Sequence, residues 1–376
     1  MSEVVKVSDF KSEIFRIGSC LQAGIAQSES DARLADTSVA ELHRSRLYTL
    51  WWPQELGGPG LSLYEAVEVI EALAYQESTS AWNLAIGTIH SGFAGAYLSD
   101  EAVQTVFATP PVIAGQLAPI GRASLEPGGM RVSGQWSFGS GIHQSNWVLG
   151  GAMLSDGDQK VGRVIFVAPK DAASVDTDSW RVAGLSGTGS CDYAIEAAFV
   201  PDGYWFSFPH AQRLRGGPAY DLSQFAQSLQ LHAGLPLGAA QRALDEVTKL
   251  ARTKRRSGAS SSIAERTTFQ TGLAEARAKL AGARLYMYDC ISRLETDEQE
   301  DQVLPEARAQ ARHVTDVALD VSLWAYRQAG GSAMRLTSPL QHIVRDLMGA
   351  AQHVFVDEAT LFEYGSMLVG DTDASV

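Results

Sequence analysis

The residues best suited to chemistry lie in the stretch 128–147, which reads GGMRVSGQWSFGSGIHQSNW. Apolar and polar residues alternate from Met130 to Phe138, which predicts β structure. Ser140 follows between two glycines, Gly139 and Gly141, which let a backbone pass close to a flat ligand with the hydroxyl and amides pointing outward. Flanking aromatic residues could wall off such a ligand. The alternative is a hairpin with glycine turns and no ligand.

Other polar groups have weaker signals. His90 lies inside a predicted apolar helix, where a histidine most often makes a structural hydrogen bond. The loop Gly184–Ser190 is rich in glycine and hydroxyls, but it lacks the lysine of a P-loop and does not open a helix. A short basic run, 252–256, is interpreted as a solvated helix end, with contact to a phosphate as the alternative.

The elements that must position these residues form three segments. Helical patterns fill residues 1–109, short β-prone runs divided by glycine and proline fill 110–212, and helical patterns return in 213–376. The strands suggest a small barrel or sandwich. The last segment predicts four helices in an antiparallel bundle, over Leu229–Thr253, Ala264–Asp289, Glu306–Ala329 and Pro339–Leu368.

Composition limits the classes of function. The 376 residues are 45% hydrophobic and 19% charged, as in a globular protein, and the net charge of −13 argues against a nucleic-acid partner. The three cysteines lack motif spacing, so we expect reduced thiols in a cytoplasmic protein and no metal site. No run approaches the roughly 20 apolar residues that span a bilayer, so we expect no membrane association.

An ordered set of short segments resembles the acyl-CoA dehydrogenase superfamily over nearly the whole chain. The segments are Pro53–Gly58, GGMRVSGQWSFGSG, the loop Gly184–Ser190 followed by Phe199-Val200-Pro201, Gln328–Gly331 and Arg345-Asp346. The resemblance implies an α+β class with an N-terminal helical domain, a central β domain and a C-terminal four-helix bundle. It also implies a flavin held between the β domain and the bundle, and a homotetramer.

Within this superfamily, two branches differ in their catalytic group. Dehydrogenases use a carboxylate base that usually stands eight residues past the aspartate of the Arg-Asp pair, and Val354 stands there. A second location for the base falls near Ser228, which has no carboxylate either. Two-component flavin-dependent monooxygenases, which oxygenate phenols, indoles and dibenzothiophene, have a histidine seven residues past that aspartate, as His353 is here.

The resemblance therefore implies a monooxygenase. Reduced FAD or FMN arrives by diffusion from a separate NAD(P)H-dependent flavin reductase and reacts with molecular oxygen to a C4a-hydroperoxide, and a small aromatic or heteroaromatic substrate is hydroxylated. His353 suits a hydrogen-bond donor or proton source, Ser140 would hydrogen-bond the flavin, and His90 matches a position that faces the substrate. Gln116 falls where phenol hydroxylases often carry serine, which puts a phenol substrate in doubt.

Further contacts are implied for the flavin and the substrate. The flavin contacts are Trp136, Ser137, Phe138, Gly139, Ser140, Thr188, Gly189, Ser190, Arg255, Gln328, Gly330 and Gly331, and the candidate apolar substrate wall is Trp82, Phe93, Trp136 and Phe138. Two other hypotheses remain open: an oxidoreductase of the acyl-CoA dehydrogenase type that keeps FAD bound, and a binding protein without catalysis.

Overall fold

The computed structural model describes residues 6–157, 159–296 and 299–370. Residue contacts group the chain into two compact units. The first unit contains residues 1–66, 82–182 and 186–228, and the second unit contains residues 67–81, 183–185 and 229–376. Among the described residues, no helix has the length and apolar character needed to cross a membrane.

The N-terminal third of the chain is helical. Apolar residues at helical spacing from Phe10 to Leu21 are buried along the first helix, which ends at Ala32 in a left-handed conformation. The sequence also predicts a second helix from roughly Glu29 to Leu47, and this start is wrong because the turn at Ala32 separates the two helices. The helices are α1 Val7–Asp31, α2 Asp36–Arg44, α3 Leu63–Gln76, α4 Ser78–Tyr97 and α5 Asp100–Val106.

The β segment forms one seven-stranded sheet in the order β5-β6-β2-β1-β3-β4-β7. Only the pair β1 and β3 is parallel among these neighbours, and its register shifts between Gln116 and Gly121. Trp136, Phe166 and Tyr193 pack in the buried core of the sheet. The strands are β1 Ile113–Glu126, β2 Gly129–Gly139, β3 Trp147–Asp156, β4 Gln159–Pro169, β5 Ala173–Asp176, β6 Cys191–Pro201 and β7 Trp205–Ser207.

The C-terminal segment is helical, and α7, α8, α10 and α11 all contact α9 in the second unit. Helix α9 begins at Glu300, earlier than predicted, with Pro305 inside it. The sequence predicts Gly330-Gly331 as its C-cap, and Gly330 occupies the C-cap position with a positive φ. The helices are α6 Gln224–Gln227, α7 Leu229–Thr253, α8 Thr267–Leu294, α9 Glu300–Ala329, α10 Pro339–Ala350 and α11 Ala359–Leu368.

The predicted fourth helix of the bundle is wrong in one respect. Instead of one helix, α10 ends at Ala350, a short 3₁₀ helix follows over Val354–Val356, and α11 begins at Ala359. His353 caps the 3₁₀ helix after this break, because its backbone is extended and its ring accepts from the Phe355 N–H. The predicted α+β class is confirmed. The boundaries proposed for three domains stay a prediction.

Candidate active site

Three hydroxyl groups of the first unit form a buried hydrogen-bonded cluster at the end of β2. Ser140 Oγ lies 2.7 Å from Ser190 Oγ, and Ser190 Oγ lies 2.7 Å from Thr188 Oγ1. The Trp82 indole on α4 donates to Ser140 Oγ at 3.0 Å. We call Ser140, Thr188 and Ser190 the hydroxyl cluster. The end of β2 and the glycine loop that the sequence singled out are therefore brought together, and α4 contacts them through Trp82.

The prediction that the Ser140 hydroxyl and amide point outward is wrong. The Ser140 side chain is turned inward to Trp82 and Ser190, and its N–H donates to the Phe138 carbonyl at 2.8 Å. The Gly141 N–H likewise donates to the Thr188 carbonyl at 3.0 Å. These hydrogen bonds within the protein hold the turn in a compact conformation.

Phe138 presents the exposed aromatic face of this turn. Its φ is +65°, a conformation that a bulky residue rarely adopts and that costs about 1 kcal/mol or more. Phe138 is 57% exposed and makes an edge-to-face contact with Trp180, with ring centroids 6.1 Å apart. A strained backbone that holds a large apolar ring toward solvent is more consistent with ligand binding than with core packing.

His90 on α4 is buried and has a defined tautomer. Its Nδ1 lies 3.3 Å from the Ile113 carbonyl, which can only accept, so Nδ1 carries the proton. Burial lowers the pKa of His90 to about 4, which makes the ring neutral at pH 7. Its Nε2 is therefore a hydrogen-bond acceptor.

Two buried amide oxygens near these elements lack hydrogen bonds. Gln116 Oε1 on β1 and Asn83 Oδ1 on α4 have no partner among the residues that the structure describes. Gln116 instead uses its backbone N–H, which donates to the Tyr193 hydroxyl at 3.0 Å. Because an unpaired buried acceptor costs about 1–3 kcal/mol, both oxygens are candidates to accept hydrogen bonds from a bound molecule.

The remaining predicted aromatic contacts have structural roles in the described part of the chain. Trp136 is 1% exposed, donates its indole N–H to the Gly151 carbonyl and stacks on Tyr193. Phe93 is fully buried beside Phe206. Ser137, between Trp136 and Phe138, is half-buried. Contact of these residues with a flavin or a substrate stays a prediction.

In the second unit, His353 occupies the break after α10. Its Nδ1 accepts a hydrogen bond from the Phe355 N–H at 3.2 Å, and burial lowers its pKa to about 4. A ring that is neutral and accepts at Nδ1 must carry its proton on Nε2. His353 therefore presents an Nε2–H donor, and local backbone geometry fixes this tautomer.

A second histidine, His232, packs against this ring and was not predicted. It is buried in the first turn of α7, with its ring centroid 4.5 Å from that of His353 and 4.5 Å from that of Phe355. Its pKa lies well below the usual range because of burial, the neighbouring His353 and Arg308. The one sequence signal at this position is Pro236, four residues later, which has no N–H for the His232 carbonyl.

The Arg-Asp pair has a structural role in the second unit. Asp346 is buried and accepts from the Leu185 N–H at 2.6 Å and from Thr79 Oγ1 at 3.2 Å. His342 Nε2 lies 3.1 Å from a Glu77 oxygen and 3.2 Å from an Asp346 oxygen. We call Glu77, His342 and Asp346 the buried ion triad; sequence reasoning missed two of its members.

Glu77 also caps helix α4 within this triad. Its two carboxylate oxygens accept from the backbone N–H groups of Thr79 and Ser80 at 2.8 and 2.6 Å. Although burial opposes it, the hydrogen bond from His342 lowers the pKa of Glu77, whereas burial raises the pKa of Asp346. The ligand atoms are close enough for a metal ion, but the hydrogen bonds account for the arrangement as an ionic network.

The segments predicted to reach a flavin tail also meet in the second unit. The Lys254 ammonium donates to the Ala329 carbonyl at the end of α9, so the basic run touches the glycine turn. Arg255 is exposed and pairs with Ser262 in a short β-bridge. Gln328 is half-buried, and Gly330 and Gly331 follow it. A phosphate contact by these residues stays a prediction.

Comparison with known proteins identifies relatives along most of the chain. Residues 230–358 match the family described as "Acyl-CoA dehydrogenase, C-terminal domain". Indole-3-acetate monooxygenase of Pseudomonas putida is 27% identical over 337 residues, which cover 86% of this chain and 84% of the relative. The oxygenase component of an FADH(2)-dependent resorcinol hydroxylase from Rhizobium is 26% identical, covering 90% of this chain and 88% of the relative.

A solved structure agrees in fold. XiaF from Streptomyces, determined with FADH2 and glycerol, is similar with a TM-score of 0.90 at 22% identity, covering 97% of this chain and 96% of the other. This likeness confirms the arrangement of helices and strands expected from the sequence segments. The chain is therefore similar to the C-terminal domain of acyl-CoA dehydrogenases over residues 230–358, and along most of its length to a flavin-linked monooxygenase and hydroxylase group that shares this fold.

Proposed function

We propose that this chain is the oxygenase component of a two-component system that hydroxylates a small aromatic or heteroaromatic compound, such as an indole or a phenol, with reduced flavin and oxygen. The observation that carries the proposal is His353. It stands seven residues past Asp346 as a neutral imidazole with its proton on Nε2. Such a group can donate a hydrogen bond but cannot replace the carboxylate base of a dehydrogenase.

Dehydrogenation of an acyl-CoA has less support. Val354, at the usual position of the base, is 77% exposed and has no acid–base group. Asp357 lies nearby in sequence, but its carboxylate accepts from the Ala359 N–H at 2.9 Å. Glu363 on α11 is held in an ion pair with Arg308 at 2.6 Å.

The residues present fit a flavin. The exposed ring of Phe138 provides an apolar surface for a flat heterocycle, and the unpaired Asn83 Oδ1 can accept from a ring N–H. The hydroxyl cluster is linked to Phe138 through Ser140, whose N–H donates to the Phe138 carbonyl. We propose that Phe138, Ser140 and Ser190 position the ring system. When bound, reduced flavin supplies two electrons and activates oxygen.

The protein has two tasks in this chemistry. His353 provides an Nε2–H donor for the oxygen that is transferred, and buried aromatic side chains limit the entry of water, which would release hydrogen peroxide. Holding the donor neutral matters because a pKa of about 4 keeps its protonation state constant through the physiological range.

Hydrogen-bond acceptors in the protein select the substrate. His90 Nε2 and Gln116 Oε1 both accept hydrogen bonds, so a substrate with an N–H or O–H group on its ring is preferred over a purely hydrocarbon one. The relatives act on indole-3-acetate and resorcinol according to their names, and these carry such groups. We therefore propose an indole or a phenol as the substrate class.

The assembly is also part of the proposal. The relatives described as oxygenase components support a separate flavin reductase. We further propose a homotetramer. It is supported by large apolar side chains that are exposed in one chain, including Leu285 on α8 and Phe362 and Leu368 on α11.

The test is oxygen transfer. The purified chain is supplied with a flavin reductase, NADH and ¹⁸O₂, and a panel of indoles, phenols and thioethers is analysed by mass spectrometry. We expect one ¹⁸O atom in an indole or phenol product. In His353→Ala, most of the NADH consumed should yield hydrogen peroxide instead of hydroxylated product. The control His313→Ala, at an exposed residue, should behave as wild type. Absence of labelled product across the panel, with all NADH recovered as peroxide, would refute the proposal.

A further inference from the structure

We propose that His232 is a positioning residue that holds the imidazole of His353 in its Nε2–H tautomer and orientation through ring packing. This role rests on the proposed function of His353, but its geometry stands on its own. His232, His353 and Phe355 belong to the second unit and come from α7 and from the break after α10.

The packing of the three rings carries the proposal. The His232 ring is nearly parallel to Phe355, with 5° between the planes, and is tilted by 40° to His353. Both centroid distances are 4.5 Å, which is the close end of the range for aromatic pairs. His232 is 5% exposed, so its ring cannot leave this place without opening the packing between α7 and the segment after α10.

Phe355 ties the two contacts together. Its ring stacks on His232, while its backbone N–H donates to His353 Nδ1 at 3.2 Å. A shift of the Phe355 ring therefore displaces the hydrogen bond that fixes the His353 tautomer. The guanidinium of Arg308 lies over the Phe355 ring at 5.6 Å, so a helix of the bundle also restrains this ring.

Burial keeps both rings neutral, and for His232 the neighbouring His353 and Arg308 add to this effect. Arg308 is the neighbouring cation, and it pairs with Glu363 at 2.6 Å. Burial and the adjacent Arg308 disfavour a proton on His232, as its lowered pKa shows. His232 is thus a neutral aromatic ring whose contribution is its shape, and a phenyl ring in its place should preserve that contribution.

The test compares His232→Phe, which keeps a ring, with His232→Ala and His232→Leu, which do not. The primary readout is ¹H–¹⁵N NMR of the histidine side chains without flavin or substrate, with the His353 signals assigned from the spectrum of His353→Gln. Wild type and His232→Phe should show His353 as the Nε2–H tautomer. In His232→Ala and His232→Leu, the two ring nitrogens should move toward averaged chemical shifts.

Coupling of NADH oxidation to product is the second readout. It should fall between about tenfold and a hundredfold in the Ala and Leu variants, since small misplacement of a catalytic group costs this much, and should be retained in His232→Phe. His313→Ala is the control.

Unchanged His353 shifts in both ringless variants would overturn the proposal. Loss of coupling in His232→Phe with His353 shifts as in wild type would also overturn it, because the histidine itself would then be required. If the wild-type protein hydroxylates no substrate, the proposed function is refuted. The NMR comparison would still decide whether His232 positions His353.

Discussion

Removal of His342 should expose the energetic role of the buried ion triad. His342 Nε2 lies within 3.2 Å of oxygens of both Glu77 and Asp346, and all three side chains are almost fully buried. His342→Ala leaves two carboxylates in a buried site without their shared partner. Removing one partner of a buried ion pair typically costs about 3–5 kcal/mol of the free energy of unfolding.

The magnitude can also be worked from protonation. The folded variant can relieve the repulsion by taking up one proton on a carboxyl group whose unperturbed pKa is near 4. At about 1.4 kcal/mol for each pH unit, uptake at pH 6 costs about 3 kcal/mol and at pH 5 about half that. Between pH 5 and 6 the folded variant then binds one more proton than the unfolded chain, so its stability falls as the pH rises.

Urea unfolding followed by circular dichroism at pH 5.0, 5.5 and 6.0 measures this effect. The deficit of His342→Ala relative to wild type should grow by about 1.4 kcal/mol over this range. His210→Ala, at an exposed histidine, is the control and should stay within about 0.5 kcal/mol of wild type. A deficit below about 1 kcal/mol at pH 6, or one that does not change with pH, would refute the reasoning.

Four further predictions concern the candidate active site. His90→Asn keeps a donor for the Ile113 carbonyl but removes the Nε2 acceptor, so kcat/KM for an indole or phenol should fall about tenfold or more with little change in Tm; unchanged kcat/KM would contradict the acceptor role. Phe138→Gly should relieve about 1 kcal/mol of backbone strain, measured by urea unfolding, yet raise the Kd for reduced flavin. Ser140→Ala removes the acceptor of the Trp82 indole and should lower the free energy of unfolding by about 1–3 kcal/mol, whereas equal stability would argue against the hydroxyl cluster. Because the pKa of His353 is about 4, its protonation does not change between pH 6 and 8, and the amount of hydroxylated product formed per NADH oxidised should be constant over this range. A product yield that follows a group titrating near pH 6.5 would contradict the assignment.

The fold could largely be predicted where local signals agree. The sequence predicts a helix over Leu63–Gln76 as well as the one over Leu229–Thr253, and both helices have these bounds. The pair Ser62 and Glu65 predicts a capping box ahead of the first of them, and the structure has it: Ser62 Oγ accepts from the Glu65 N–H and the Glu65 carboxylate accepts from the Ser62 N–H. The predicted order of helical and β segments was also correct, because the sequence changes near Pro110 from helical spacing to short β-prone runs, and returns to helical spacing after Phe208.

The arrangement of the site was less accessible from sequence. The inward orientation of Ser140 depends on Trp82, which lies 58 residues away in the chain. His232 carries no motif, because ring packing between distant segments has no fixed spacing. Glu77 and His342 are separated by 265 residues, and each alone resembles an ordinary helix-end residue. Such tertiary partnerships are set by packing rather than by local propensity.

The central claim is that this chain directs the reaction of reduced flavin with oxygen. The most direct measurement is stopped-flow absorbance, in which the protein is mixed with reduced FAD or FMN and then with oxygenated buffer. We predict a transient absorbing species distinct from both reduced and oxidised flavin, which decays faster in His353→Ala than in His313→Ala. Direct appearance of oxidised flavin at the rate seen without protein, both with and without an aromatic compound present, would contradict the account.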